Sequence, residues 1–280
     1  MLPAVALFFI FFLIPNLSSF FFAFTDWTTF SFYKFSFNGL DNFKRLIQED
    51  AFKYAVINTL YFAIITTILK NVFGLVLALG ISGKSRFNNF CRSVFFLPST
   101  ICTLVVGITF VAIYNPGHGI LNVFLRAIGL APLAQDWLVN TKLALSSICA
   151  MEIWQWTGYS MVIFIAGIKS VSNEFIEAAR VDGANKFQTT TRITIPLMMQ
   201  SLNISILLSV IGGMKVFAQV YATTNGGPIY ATQVFGTFIY KTFSDGFLGY
   251  SSAAGMVMTI FTIVITLIVL PKLRKMEVEQ

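Results

Sequence analysis

Residues Lys169 to Pro196 read KSVSNEFIEAARVDGANKFQTTTRITIP, the one long polar interruption of the chain that reads as two short helices rather than a loop. Ser172 or Asn173 can cap a first helix, because a side-chain oxygen there accepts from the unpartnered N–H groups of the first turn. Glu174 and Glu177 fall in its early turns, where the positive end of the helix dipole favours negative charge. Phe175, Ile176 and Ala179 recur at helical spacing and give one apolar side. Gly183 ends the helix, being the residue type that enters a left-handed turn without steric penalty. A second helix follows, with Phe187 and Ile193 as apolar anchors. Pro196 then opens a new apolar run from a first-turn position, where a missing N–H costs nothing. The stretch predicts a compact helix–turn–helix knob, shaped to fit a partner's groove.

What flanks the knob is membrane. The 280 residues are 56% hydrophobic and 11% charged. A soluble domain carries about 25% charged residues, so this chain lacks the polar surface to cover itself in water. The net charge of +7 is scattered between apolar runs rather than gathered on one face. That pattern suits cationic loops beside anionic lipid and argues against nucleic acid. Cys91, Cys102 and Cys149 are far apart, form no metal-ligand set and read as small packing residues. The lone histidine, His118, sits in a Pro-Gly-His-Gly turn and reads as solvated. No catalytic set and no metal site is expected.

Six apolar runs are long enough to cross a bilayer at roughly 20 residues per crossing. They are Met1 to about Ala23, Tyr54–Ile81, Ser93–Tyr114, Thr141–Ile168, Leu197–Tyr221 and Tyr250–Leu270, with a charged tail from Pro271. The first reads as a span that Pro15 can bend. It has neither the basic n-region nor the small-residue cleavage site of a signal peptide. Short helices at the interface are expected within 25–52 and around Val234–Phe243. The expectation is an all-α, six-span membrane protein forming one domain over 1–280. If the knob lies in the cytoplasm, so do both termini, and more of the loop Lys and Arg lie on that side than outside.

Glu177-Ala178-Ala179, Asp182-Gly183-Ala184, Phe187, Ile193 and Pro196 together resemble the EAA signature of ABC-importer permeases. FNGLDNF at Phe37–Phe43, NTL at Asn58–Leu60, RSVFFLPS at Arg92–Ser99, TNGGP at Thr224–Pro228 and YSSA at Tyr250–Ala253 are similar to the carbohydrate-type branch, in order along nearly the whole chain. The charge-free start departs from relatives, which usually carry a basic cytoplasmic prefix. The resemblance implies that Glu177, Ala178, Ala179, Asp182, Gly183, Ala184, Phe187 and Pro196 couple the chain to a separate ATPase subunit. It also implies a second permease subunit, paired ATP-binding subunits, an extracytoplasmic solute-binding protein, and a sugar or related polyol as cargo, in a bacterial cytoplasmic membrane.

Gly83-Lys84-Ser85 looks like the end of a P-loop, but Ala78 stands where the first glycine belongs, and the segment follows a membrane span rather than a buried strand. No cofactor is expected in this chain, so ATP must act on another polypeptide. The polar residues inside the spans are more informative, since a charge at the centre of an isolated span costs about 2.5–3.5 kcal/mol. Glu152, Gln155 or Trp156, and Tyr159 share one face of the fourth span, and rings beside hydrogen-bonding groups suit a sugar. Lys215 falls at a similar depth in the fifth span, and Lys70 near the middle of the second. Two readings stay open: these groups line a substrate path, or Glu152 and Lys215 pair and join two helices. Two alternative functions also stand, a related permease for a non-sugar solute such as glycerol phosphate and a self-contained ion-coupled transporter. The latter would call for internal repeats with broken helices.

Overall fold

The computed structural model describes residues 2–275, and among these the secondary structure is helical apart from one isolated bridge pairing Thr25 with Phe37. Met1 of the expected first span and residues 276–280 of the expected tail lie outside the described residues. Helix α1 (Pro3–Phe22) is apolar along its length and leaves that face to lipid or to a neighbouring subunit. Its Pro15 does not break it. A π turn at Phe9–Leu13 widens the helix just ahead, which accommodates a ring that cannot donate and would crowd the preceding turn.

After the short α2 (Asp41–Gln48), α3 (Asp50–Ile81) runs 32 residues, about 48 Å at roughly 1.5 Å per residue. The expected third span is not straight. It divides into α4 (Arg86–Thr100) and α5 (Thr103–Ile113), which meet at 96°. Pro98 lies in the tight turn at Leu97–Thr100, and Ile101 is extended, so the ladder of backbone bonds stops there. Ser85 of the P-loop look-alike accepts from the Asn88 N–H at 3.1 Å and caps α4. Arg92 reaches back to the end of α3, donating through Nε and Nη2 to the Ile81 carbonyl at 3.0 and 2.7 Å.

Helix α6 (Ile120–Ala127) precedes α7 (Ala144–Ser170), which packs along α3. The knob follows as α8 (Asn173–Val181) and α9 (Lys186–Leu197). Contrary to the expectation that Pro196 opens a new run, α9 continues through it, again behind a π turn, at Thr190–Thr194. The break falls at Met198, where α10 (Met199–Met214) leaves at 67°. The expected fifth span also stops early: α10 ends at Met214, and the short α11 (Ala218–Thr223) follows. Helix α12 (Phe235–Ser244) occupies the place expected for an interfacial helix. Helix α13 (Leu248–Arg274) carries on through Pro271 into what was expected to be tail.

By length and apolarity α1, α3 and α13 can each cross a membrane, and the bent pairs α4/α5 and α9/α10 bring the number to five. Helix α7 is long enough, at 27 residues, but its polar centre makes it less apolar than these. It is sheltered between α3 and α10, and six crossings result if it spans as the protected sixth.

The core forms three levels along α3. One gathers Ala51, Phe52, Phe235, Tyr250 and Ala253; the next Phe62, Ile148, Met151 and Val220; the last, at the knob end, Ala78, Met161, Phe164 and Met198. Between the second and third levels both α3 and α7 turn polar, at Lys70 and Glu152. Small residues pack closely at the start of α13, where Ser251, Ala253 and Ala254 are buried, while Gly255 faces open space.

Helices approach closely at Gly158 of α7, where an added Cβ would lie 1.8 Å from the Phe95 carbonyl oxygen of α4. Backbone cannot swing aside as a side chain can, so Gly158→Ala is expected to destabilise the bundle by about 3 kcal/mol. A fall in the detergent melting temperature checks this; an unchanged temperature rules out the close crossing.

Candidate functional site

The chain presents two places where residues with chemistry converge. The first is the knob. Ser172 is the cap of α8, its Oγ accepting from the Glu174 N–H at 3.3 Å. At the other end Gly183 has φ +84°, and the Ala184 N–H donates to the Ala179 carbonyl at 2.9 Å while the Gly183 N–H donates to Arg180 at 3.1 Å. This is the Schellman pattern, which satisfies the last carbonyls of a helix. Two residues on, Asn185 and Gln188 cap α9 reciprocally, each side chain accepting from the other's N–H at 2.9 Å. The turn between the helices is thus fixed from both sides.

Within it Ala179 is buried, Ala184 and Pro196 are half-buried, and Glu177, Ala178, Asp182 and Gly183 are exposed. Phe187, expected to be an apolar anchor of the second helix and a coupling residue, is 76% exposed, and Val181 is 87% exposed. The apolar side of α8 also divides: Ile176 and Ala179 turn in, whereas Phe175 is 54% exposed. Ile193 and Pro196 line a cleft with Phe175, Ala178 and Asp182 between the two short helices. Phe175, Val181 and Phe187 thus stand out as large apolar groups from a turn fixed by its caps, the kind of exposed patch that suits an interaction site.

The second place is a cavity of about 300 Å³ at the polar level of the bundle. Lys70 of α3 and Glu152 of α7 meet there, Nζ to Oε1 at 3.0 Å, with both side chains about 95% buried. Gln219 of α11 donates to the other carboxylate oxygen. Trp156 and Tyr159 extend the wall along α7, their rings edge to face with centroids 5.9 Å apart. Ser205, Ser209 and Gly212 close it from α10. The Asn71 side-chain N–H donates to Ser209 Oγ at 3.2 Å, carrying the polar network back into α3.

Of the expected path residues, Glu152, Trp156 and Tyr159 come together at this cavity, and Gln155 and Lys215 do not. Gln155 is fully buried on the other side of α7, where its amide donates to the Ile101 carbonyl at 3.0 Å and to Thr103 Oγ1 at 3.4 Å. It satisfies the carbonyl released at the α4/α5 bend, which inside a membrane would otherwise have no partner. Lys215 is exposed at the C-cap of α10, because the helix ends at Met214 instead of running on to Tyr221 as a straight span would. The partner of Glu152 is Lys70 and not Lys215. Sequence reasoning missed Ser205, Ser209, Gly212 and Gln219. The first three recur at i, i+4 and i+7, a small and polar stripe that marks one face of α10.

The fold is a bundle of membrane-length helices enclosing a polar cavity between apolar levels, an arrangement common to membrane transport subunits. The chain belongs to the family described as binding-protein-dependent transport system inner membrane components, matched over residues 70–271. It is 35% identical to the probable ABC transporter permease protein YurN of Bacillus subtilis, over 95% of this chain and 92% of the relative. It is 32% identical to the diacetylchitobiose uptake system permease protein NgcF of Streptomyces coelicolor, over 95% of this chain and 78% of that one. Among solved structures, a chain of a bacterial ABC transporter involved in import of the acidic polysaccharide alginate superposes with a TM-score of 0.85. The two are 25% identical, and the match covers 98% of this chain and 93% of the other.

Proposed function

We propose that the whole chain, 1–280, acts as one permease domain of an ATP-driven importer and moves a sugar or oligosaccharide inward across the cytoplasmic membrane. The observation that carries this reading is the cavity at the polar waist: aromatic rings beside hydroxyls, an amide and a donor–acceptor ion pair are what a polyhydroxylated solute needs. Relatives named for diacetylchitobiose uptake and alginate import support it. A second permease subunit completes the path, and a solute-binding protein delivers the cargo from outside. ATP is bound and hydrolysed on separate subunits that receive the knob, over about 169–196, in a groove. The knob and both termini then lie in the cytoplasm.

Reconstitution tests this. The chain with its second permease, ATPase and binding protein in proteoliposomes is expected to accumulate labelled sugar only when ATP is supplied on the knob side. Accumulation by the purified chain alone overturns the proposal. In the full system Trp156→Ala removes a stacking ring and is expected to lower the uptake rate about tenfold, the equivalent of roughly 1.4 kcal/mol. Phe187→Asp places a charge on the exposed tip of the knob, and large aromatic anchors at interfaces are worth about 2 kcal/mol or more. ATPase retained on the affinity-purified permease should fall by more than about tenfold, with the permease's own melting temperature unchanged because Phe187 supports little of its fold.

A further inference from the structure

Resting on the sugar-import reading, we infer that this chain's wall of the path selects uncharged sugars and excludes anionic ones such as uronates and sugar phosphates. Among the described residues lining the cavity, Lys70 and Glu152 are the only charged ones, and they neutralise one another at 3.0 Å. The fold itself does not impose this, since a structural neighbour takes part in import of an acidic polysaccharide.

The chemistry follows from how the pair is held. Both carboxylate oxygens of Glu152 are engaged, one by the Lys70 ammonium and one by the Gln219 amide. No cation is left over to receive an anion, and an entering carboxylate or phosphate would lie beside Glu152 with its own charge uncompensated. A hydroxyl meets the opposite situation. The ammonium has further N–H groups to donate, and each carboxylate oxygen keeps a second lone pair to accept. Thus the pair presents a donor and an acceptor side by side, as a sugar's neighbouring hydroxyls do.

The test uses the permease–ATPase complex in nanodiscs without the binding protein, so that the binding protein's own preference is absent. Maltose, cellobiose and trehalose are compared with their C6-oxidised monouronates by saturation-transfer NMR titration. The wild type is expected to bind at least one neutral disaccharide at least tenfold more tightly than its uronate. Glu152→Gln leaves the Lys70 ammonium unpaired, and the preference should shrink to within about twofold or reverse. Lys70→Gln/Glu152→Gln and the exchanged pair Lys70→Glu/Glu152→Lys restore neutrality and should keep the neutral preference. Should Glu152→Gln fail to assemble with the ATPase, Lys70→Arg/Glu152→Gln supplies the unpaired cation instead. Equal binding of uronate and neutral sugar by the wild type overturns the inference, as does an unchanged preference in the unpaired-cation variants. Binding of no sugar in either series overturns the sugar reading itself, so the two failures are distinguishable.

Discussion

Gly183→Val is expected to leave the permease folded and to uncouple it. The position has φ +84°, where a side chain costs about 1–2 kcal/mol and a β-branched one more. An added Cβ there would meet open space, so the penalty is one of backbone conformation and not of collision. It falls on the two hydrogen bonds that close α8, from Ala184 to Ala179 and from Gly183 to Arg180. A cost of that size shifts the turn's occupancy by a factor of roughly 5–30. Substrate-stimulated ATP hydrolysis in the reconstituted complex should fall by a similar factor while the melting temperature of the transmembrane bundle stays put. Gly183→Asn is the control, because asparagine tolerates the left-handed region and should hold activity close to wild type. Wild-type stimulation in Gly183→Val would remove the turn from the coupling route.

The second large effect concerns the ion pair. Lys70→Met strips the ammonium from a carboxylate about 94% buried, and breaking a buried pair from one side costs about 3–5 kcal/mol. The lower end applies here, since Gln219 still donates to Glu152 and the cavity admits water. A detergent melting curve should register the loss. Lys70→Met/Glu152→Gln, which removes both charges, should recover most of it. If the double variant melts no higher than the single one, the pair is not what holds α3 to α7 at this level.

These two sites were unequally legible in the sequence. The knob was readable because its signals are local: a serine cap, acidic residues in the first turn and a glycine at the end all act within one or two turns of themselves. The exposure of Phe187 was not, because an apolar residue awaiting a partner looks the same in sequence as one facing a core. The polar waist was half readable. Glu152 and Tyr159 mark a face of α7, but 3.6 residues per turn leaves i+3 and i+4 equally eligible, and only tertiary packing sends Trp156 to the cavity and Gln155 to the α4/α5 bend. Pairing Glu152 with Lys70 instead of Lys215 required knowing where α10 stops. The bends themselves were missed for a related reason. Pro98 and Pro196 announce trouble in a helix, yet one sits in the turn that ends α4 while the other is absorbed by a π turn and the chain breaks two residues later.

The sheltered position of α7 bears on how the protein is made. On leaving the ribosome, a helix with Glu152 at its centre would enter lipid only at a cost of about 2.5–3.5 kcal/mol. Lys70 is synthesised 82 residues sooner and is already waiting on α3 when Glu152 emerges. The counter-charge thus precedes the charge, and insertion of α7 becomes an event of assembly: a nascent chain that keeps Glu152 but lacks the Lys70 ammonium should insert α7 less completely, and its membrane yield should fall below that of a chain lacking both charges.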